Sequence, residues 1–239
     1  MTYSLDLTVL VPFYNEESYL NESVGRLIKE VDCFEIILIN DCSTDTSKKI
    51  AERLEKNNKN VNLINLNINQ GKGNAIKFGL EQVKSNYVIV HDADLEYNPS
   101  DIFKMFQLLG KNSDSLILGS RTIGNIERVK HYKLTYFGNK YITILFSILN
   151  NYHISDIASC YWLVKTSYLK DMNLKEKGFG IEVEVLSKFL RLNKEIIEVP
   201  INYEGRKYDE GKKIRLIDGM NIFFKVFKYS KLINFFVKS

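Results

Sequence analysis

Little in this sequence interrupts a chain. Its 239 residues hold three prolines, three cysteines and one tryptophan, and no stretch rich in proline, glycine and serine marks a linker between domains. The cysteines (Cys33, Cys42 and Cys160) are odd in number, far apart and without a C-x-x-C pair. That excludes a disulfide scaffold and a cysteine zinc site, and it fits a reducing compartment. Residues 1–6 lack the basic start and apolar run of a signal peptide. No apolar run reaches the roughly 18–20 residues a membrane-spanning helix needs. With 45% hydrophobic and 26% charged residues, the chain has enough apolar content to fold around a sizeable core.

An even distribution of charge is also missing. From Lys207 to Ser239 eight Lys/Arg outnumber three Asp/Glu, for +5, while the preceding 206 residues sum to −1. A nucleic-acid protein spreads a basic stripe over its main domain, so no nucleic-acid partner is expected. A basic tail suits an anionic membrane surface or an anionic substrate.

What is present is a repeated unit. Leu7–Val11 is a short apolar run that breaks at Pro12 into Tyr14-Asn15-Glu16-Glu17 and a helix. Glu35–Asn40 runs into Asp41-Cys42-Ser43-Thr44-Asp45 and a helical stretch over 45–57, with Thr44 or Asp45 as candidate caps. Val61–Leu66 leads to Asn69–Asn74 and a helix to about Lys84, and Tyr87–Val90 ends at His91-Asp92-Ala93-Asp94. Four strand–turn–helix units predict an α/β fold with a mostly parallel sheet flanked by helices. In such sheets ligands bind beyond the carboxyl ends of the strands, so the four turns should converge. Further along, Ser115–Gly119, Ile157–Val164 and Glu195–Tyr203 are expected strands, with helices over 131–150 and from about Gly180.

Two carboxylates one residue apart at a strand end, Asp92 and Asp94, suit a hard divalent cation such as Mg²⁺ or Mn²⁺. Glu96 is a candidate third ligand, or a contact to the ligating groups. The competing reading is an ordinary acidic turn. Asp41 is placed to accept hydrogen bonds from a nucleobase or ribose, or to cap a helix. Gly71-Lys72-Gly73 opens a helix, where backbone N–H groups and Lys72 suit phosphate, although it matches neither a Walker loop nor a Rossmann fingerprint. His91 and His153 stand in no catalytic or metal-ligand spacing.

The segments Val11–Glu17, Ile39–Asp45, Asn69–Ala75 and His91–Leu95, in this order and spacing, resemble glycosyltransferase family 2, with the GT-A fold. Leu118–Arg121, Asp156–Tyr161, Gly178–Glu184 and Tyr203–Ile214 resemble its dolichyl- and polyprenyl-phosphate mannose or glucose synthase branch. The resemblance implies a metal-dependent, inverting hexosyltransferase using Mg²⁺ or Mn²⁺. It would move sugar from a nucleoside diphosphate sugar to polyprenyl (dolichyl or undecaprenyl) phosphate, or alternatively to a hydroxyl of a growing polysaccharide or lipid-linked glycan. It places Pro12, Tyr14, Glu16 and Asp41 at the nucleotide sugar, with Lys72, Asp92 and Ala93 beside them, and Asp92, Asp94 and Glu96 at the metal. Asp94, Arg121, Arg206 and Lys212 take the catalytic positions near the phosphates. Positions 128–133 hold lysines where the family pattern leads one to expect arginine, leaving open whether Lys130 or Lys133 touches phosphate. A hydroxyl acceptor would need a carboxylate base, with Asp156, Glu182 and Glu184 as candidates.

A glycosyltransferase domain over 1–215 is expected, followed by an amphipathic helix over 216–239. Ile222, Val226, Tyr229, Ile233, Phe236 and Val237 share one helical face, with Asn221, Lys225, Lys228, Lys231 and Asn234 opposite. This predicts an interfacial helix and a protein peripheral at the cytoplasmic face of the membrane. Packing on its own domain or in a homo-oligomer is the competing reading.

Overall fold

The computed structural model of the chain describes residues 5–123, 133–206 and 216–232. Among the described residues seven strands form one sheet: β1 (Leu5–Phe13), β2 (Cys33–Asn40), β3 (Val61–Asn65), β4 (Tyr87–Val90), β5 (Leu116–Ser120), β6 (Trp162–Lys165) and β7 (Ile196–Pro200). The described residues also form the helices α1 (Leu20–Glu30), α2 (Ser47–Asn57), α3 (Lys72–Gln82), α4 (Ser100–Leu109), α5 (Lys133–Asn150), α6 (Thr166–Asp171), α7 (Ile181–Arg191) and α8 (Leu216–Tyr229).

The central strands are apolar on both faces, as strands covered by helices on both sides must be. Leu7, Val9 and Val11 of β1 and Ile36 and Leu38 of β2 face a layer made by α1, α2 and α4. Leu10, Ile37 and Ile39 face the other layer, where Ala75 and Ile76 of α3, Phe146 of α5, Phe189 of α7 and Val226 of α8 are buried. The expected α/β, GT-A-like arrangement is therefore what the chain forms.

The strand order is β3-β2-β1-β4-β6-β5-β7. Only β6 runs against its neighbours, pairing antiparallel with β4 and β5, whereas β1–β2, β1–β4, β2–β3 and β5–β7 are parallel. The carboxyl ends of β1, β2, β3, β4, β5 and β7 consequently share one edge. The order reverses between β1 and β4, the crevice where open α/β sheets take ligands.

Two sequence expectations differ from the fold. The strand expected over Ile157–Val164 starts only at Trp162, because the preceding residues bond to side chains. Ile157 donates its N–H to Thr143 Oγ1 (3.3 Å), Cys160 to the Tyr97 hydroxyl (3.2 Å) and Tyr161 to Ser159 Oγ (3.3 Å). The apolar stripe of the last helix also turns inward where it is described: Val226 and Tyr229 are buried and Ile222 packs on the core, with α8 lying on α5 and α7. Ile233, Asn234, Phe235, Phe236 and Val237 lie outside the described residues.

Candidate active site

The floor of the crevice is made by two loops tied to each other. After β1, Asn15 donates its backbone N–H to Ser43 Oγ (3.0 Å) and accepts the Thr44 N–H at Oδ1 (2.8 Å). Glu16 donates its N–H to Ser47 Oγ (2.8 Å), and Glu17 accepts the Thr46 N–H (3.0 Å). Asp45 accepts the Ser47 N–H (2.9 Å) at the start of α2. The crossed bonds hold buried Pro12 and Glu16 beneath the rim, where Tyr14 is exposed.

Asp41 is buried just beyond β2 and accepts two backbone N–H groups, from Gln70 (3.0 Å) and Gly71 (2.7 Å). It therefore braces the turn into α3 rather than capping α2. Gly71 sits at φ 93°, in the left-handed region that favours glycine. A Cβ on Gly71 or Gly73 would come within 2.7 Å of the carbonyl oxygen of Lys177 or Glu176 respectively. The glycines thus let α3 start against the 176–178 segment, whose Lys177 carbonyl accepts the Asn74 N–H (3.0 Å). The amides expected to meet phosphate are partly spent on these bonds.

Lys72 is not a solvated loop lysine. Its Nζ lies 2.7 Å from Asp92 and 3.0 Å from Glu182. Burial opposes its charge, but the two carboxylates hold its pKa well above the usual lysine value. For Asp92 burial pushes upward, and Lys72 more than offsets it, so the Asp92 carboxyl lies below its ordinary range. Asp94 has the opposite fate. Burial, then the nearby Glu96 and Asp92 carboxylates, push it up to about 8, with Arg206 acting against them. Arg206 reaches Asp94 at 2.8 Å, Glu16 at 3.3 Å and Glu96 at 3.7 Å. Buried Ala93 connects the pair.

Glu96, a candidate third metal ligand beside Asp94, is engaged by other groups. Its carboxylate accepts the Tyr203 hydroxyl (2.6 Å) and the Arg206 backbone N–H (2.8 Å), which pins the segment after β7 over the crevice. Among the described residues no group of three or more His, Cys, Asp or Glu is gathered to hold a metal.

Arg121, after β5, is fixed by Asp156. Nε and Nη2 donate to its two oxygens at 2.7 and 2.8 Å, and the Arg121 N–H adds a third bond at 3.0 Å. Asn139 of α5 donates to the same carboxylate (3.1 Å), and the guanidinium lies 4.8 Å from the centre of the Tyr203 ring. Tyr203 and Asn139 were missed as site residues. A tyrosine in the Tyr203–Ile214 segment was a visible signal, whereas a single asparagine in an aromatic helix offered none. His91 is buried between Ser23 (3.2 Å) and Tyr161 (2.7 Å), and burial lowers it to about 4, so its part is structural. Lys212 and positions 128–132 lie outside the described residues.

The crevice at the strand-order reversal, with its acidic turn and flanking cations, agrees with a family match. The model of glycosyl transferase family 2 matches residues 8–172. The chain belongs to glycosyl transferase family 2. Among its relatives, a UDP-N-acetylglucosamine–dolichyl-phosphate N-acetylglucosaminyltransferase of Methanococcus voltae is 29% identical over 238 residues, covering 91% of this chain and 93% of the relative. An undecaprenyl-phosphate mannosyltransferase of Micrococcus luteus is 24% identical over 214 residues, covering 85% of each. In three dimensions this family member resembles glucosyl-3-phosphoglycerate synthase from Mycobacterium tuberculosis, crystallised with Mn²⁺, UDP and phosphoglyceric acid. The TM-score is 0.68 at 17% identity, over 93% of this chain and 78% of that one. That likeness concerns the fold.

Proposed function

We propose that this glycosyltransferase moves a sugar from a nucleoside diphosphate sugar to an isoprenoid phosphate. The observation that carries the reading is the state of the carboxylates a hydroxyl acceptor would need as a base. Asp156 is fully buried and spent on Arg121 and Asn139. Glu184 is fully buried, accepting the Lys175 and Glu176 N–H groups and pairing with Lys188 at 2.6 Å. An isoprenoid phosphate is already an anionic nucleophile near neutral pH and needs no such base. The names of the Methanococcus and Micrococcus relatives support the same acceptor class.

Pro12, Tyr14, Glu16 and Asp41 would line the nucleotide end of the crevice. Asp92 and Asp94, two hard carboxylates, are the residues that would hold a magnesium or manganese ion. Such an ion supplies positive charge to the departing diphosphate. The acceptor phosphate oxygen bonds to the anomeric carbon as the carbon–oxygen bond to the diphosphate breaks, which inverts the configuration and frees the nucleoside diphosphate. Arg121, held in place by Asp156, would face anionic oxygen without reorganising. Arg206 and Lys212 would close over the phosphates. We place the protein at the cytoplasmic surface of a membrane, where both substrates meet. Among the described residues no helix is long and apolar enough to cross a membrane.

One observation favours a hydroxyl acceptor. Glu182 is buried and its pKa is raised by burial, with Lys72 acting against the shift. Assays of the Glu182→Gln variant with isoprenyl phosphate and with a glycan acceptor separate the readings. Transfer of label to isoprenyl phosphate that survives the substitution supports the phosphate acceptor. Labelling of the hydroxyl acceptor alone, lost in the variant, sinks it.

A further inference from the structure

The exposed side of α5 has no use in the site described above. Phe137, Tyr141, Ile144 and Ile148 are 61, 64, 50 and 64% exposed. Their spacing of four, three and four residues puts them on one stripe of the helix. Thr143, Phe146 and Asn150 on the opposite side are buried, and Asn139 there bonds to Asp156. On α8, which packs beside α5, Met220 and Phe224 are 58 and 65% exposed. Scattered exposed apolar residues are ordinary, whereas a continuous row of large ones marks a surface that is covered in use.

We propose that this face of α5, extended by α8, docks on an anionic lipid surface. The charge around it points to that occupant. Residues 133–150 contain lysines and no Asp or Glu. Lys140 is exposed beside the stripe, and Lys231, whose backbone N–H donates to Asn150 at the far end of α5, is exposed as well. Lysines flanking an apolar helix face suit anionic headgroups around a shallow apolar contact. The expected lipid-facing stripe of the last helix is thereby replaced, since Val226 and Tyr229 are spent on the core. The placement also suits the proposed acceptor, on which this part of the inference rests. Through Asn139, Asp156 and Arg121, α5 buttresses the site where the acceptor phosphate would lie. One side of the helix would rest in the bilayer surface while the other positions the phosphate-binding group.

The test is flotation of the full chain with phosphatidylglycerol-containing vesicles and with phosphatidylcholine vesicles. The wild type should float with the anionic vesicles and more weakly with the neutral ones. Tyr141→Ser/Ile144→Ser/Ile148→Ser should reduce binding roughly a hundredfold, because three apolar contacts are lost. Phe34→Ser, which removes an exposed apolar side chain at the opposite end of the sheet, should leave it unchanged. Ile148→Trp gives a readout that does not depend on the triple variant folding: its fluorescence should shift to the blue on anionic vesicles. Flotation of the folded triple variant like wild type, or no shift for Ile148→Trp, overturns the proposal. Concentration-dependent dimerisation of a wild type that ignores vesicles, abolished in the triple variant, also overturns it and assigns the face to a second copy. Transfer to a short, water-soluble isoprenyl phosphate is measured in parallel. If it persists while flotation fails, only the docking surface falls; if flotation holds and no phosphate acceptor is used, only the acceptor assignment falls.

Discussion

Asp92 and Asp94 lie one residue apart, yet their carboxylates meet opposite fields. Lys72 neutralises the first, while the second stands among Glu96 and Asp92 with Arg206 as its countercharge. A carboxyl raised to about 8 when folded binds a proton more readily than in the unfolded chain. Its charge therefore subtracts stability as pH rises from about 4 to 8. Asp94→Asn should then lose transfer by on the order of 10²-fold or more, yet unfold at a higher temperature than wild type at pH 8, with a smaller gain at pH 5. Thermal unfolding at the two pH values checks the sign; a variant less stable at pH 8 would show that the Arg206 pair outweighs the crowding. His91 follows the same linkage in the acid range. Its depressed pKa means that stability present above about pH 6.5 is lost toward pH 4, and His91→Gln should flatten that part of the profile.

At the scale of elements, the 175–178 segment joins three helices. Lys177 accepts the Asn74 N–H at the start of α3, and Glu184 of α7 accepts the Lys175 and Glu176 N–H groups. Glu176 in turn receives Lys225 (2.8 Å), Lys228 (2.8 Å) and the Tyr229 hydroxyl (2.6 Å) of α8. Burial alone would raise Glu176; these three donors lower it to about 2. The stability it contributes is complete above its unfolded value near 4.5 and is lost as pH falls toward 2. Limited proteolysis should therefore cut near α8 in acid, and Glu176→Gln should expose the same sites at neutral pH. Gly73→Ala tests the other contact of this segment. A methyl group 2.7 Å from the Glu176 carbonyl must push the backbone away, at about 1–3 kcal/mol, and should lower the melting temperature and disturb Lys72 together. A fully stable Gly73→Ala would show that the segment gives way easily.

Across the whole molecule, both acids of the turn already hold cations from distant parts of the chain: Lys72 from the start of α3 and Arg206 from the segment after β7. A metal bound at Asp94, as proposed, would meet a resident guanidinium. Arg206→Ala should tighten binding of Mn²⁺ alone by roughly tenfold, the equivalent of about 1.4 kcal/mol, while lowering turnover with the full donor. Calorimetric titration with Mn²⁺ in the absence of nucleotide reads the first effect. Unchanged affinity would mean that the two cations occupy separate positions. The competition would couple donor entry to release of the 203–206 segment, the kind of movement expected of a closing loop.

The apolar runs ending in polar turns determined the parallel sheet, its two helical layers and the edge where the turns meet, because a strand buried on both faces leaves a pattern that local sequence carries in full. The same patterns located Asp41, Lys72, Asp92 and Asp94, and the resemblance they support is matched by the family model over residues 8–172. What each side chain does there was decided by partners far along the chain. Glu96 does stand beside the acidic pair, but its carboxylate is engaged by Tyr203 and Arg206 from the far end of the chain. Asp156 became the clamp of Arg121 because the strand order brings β5 beside the start of β6. The last helix illustrates the limit most directly. Its periodicity determined an apolar face, but whether that face meets lipid or protein depends on what lies opposite, and α5 and α7 present the surface that buries Val226 and Tyr229. An amphipathic pattern specifies that burial must occur; only the tertiary structure decides against what.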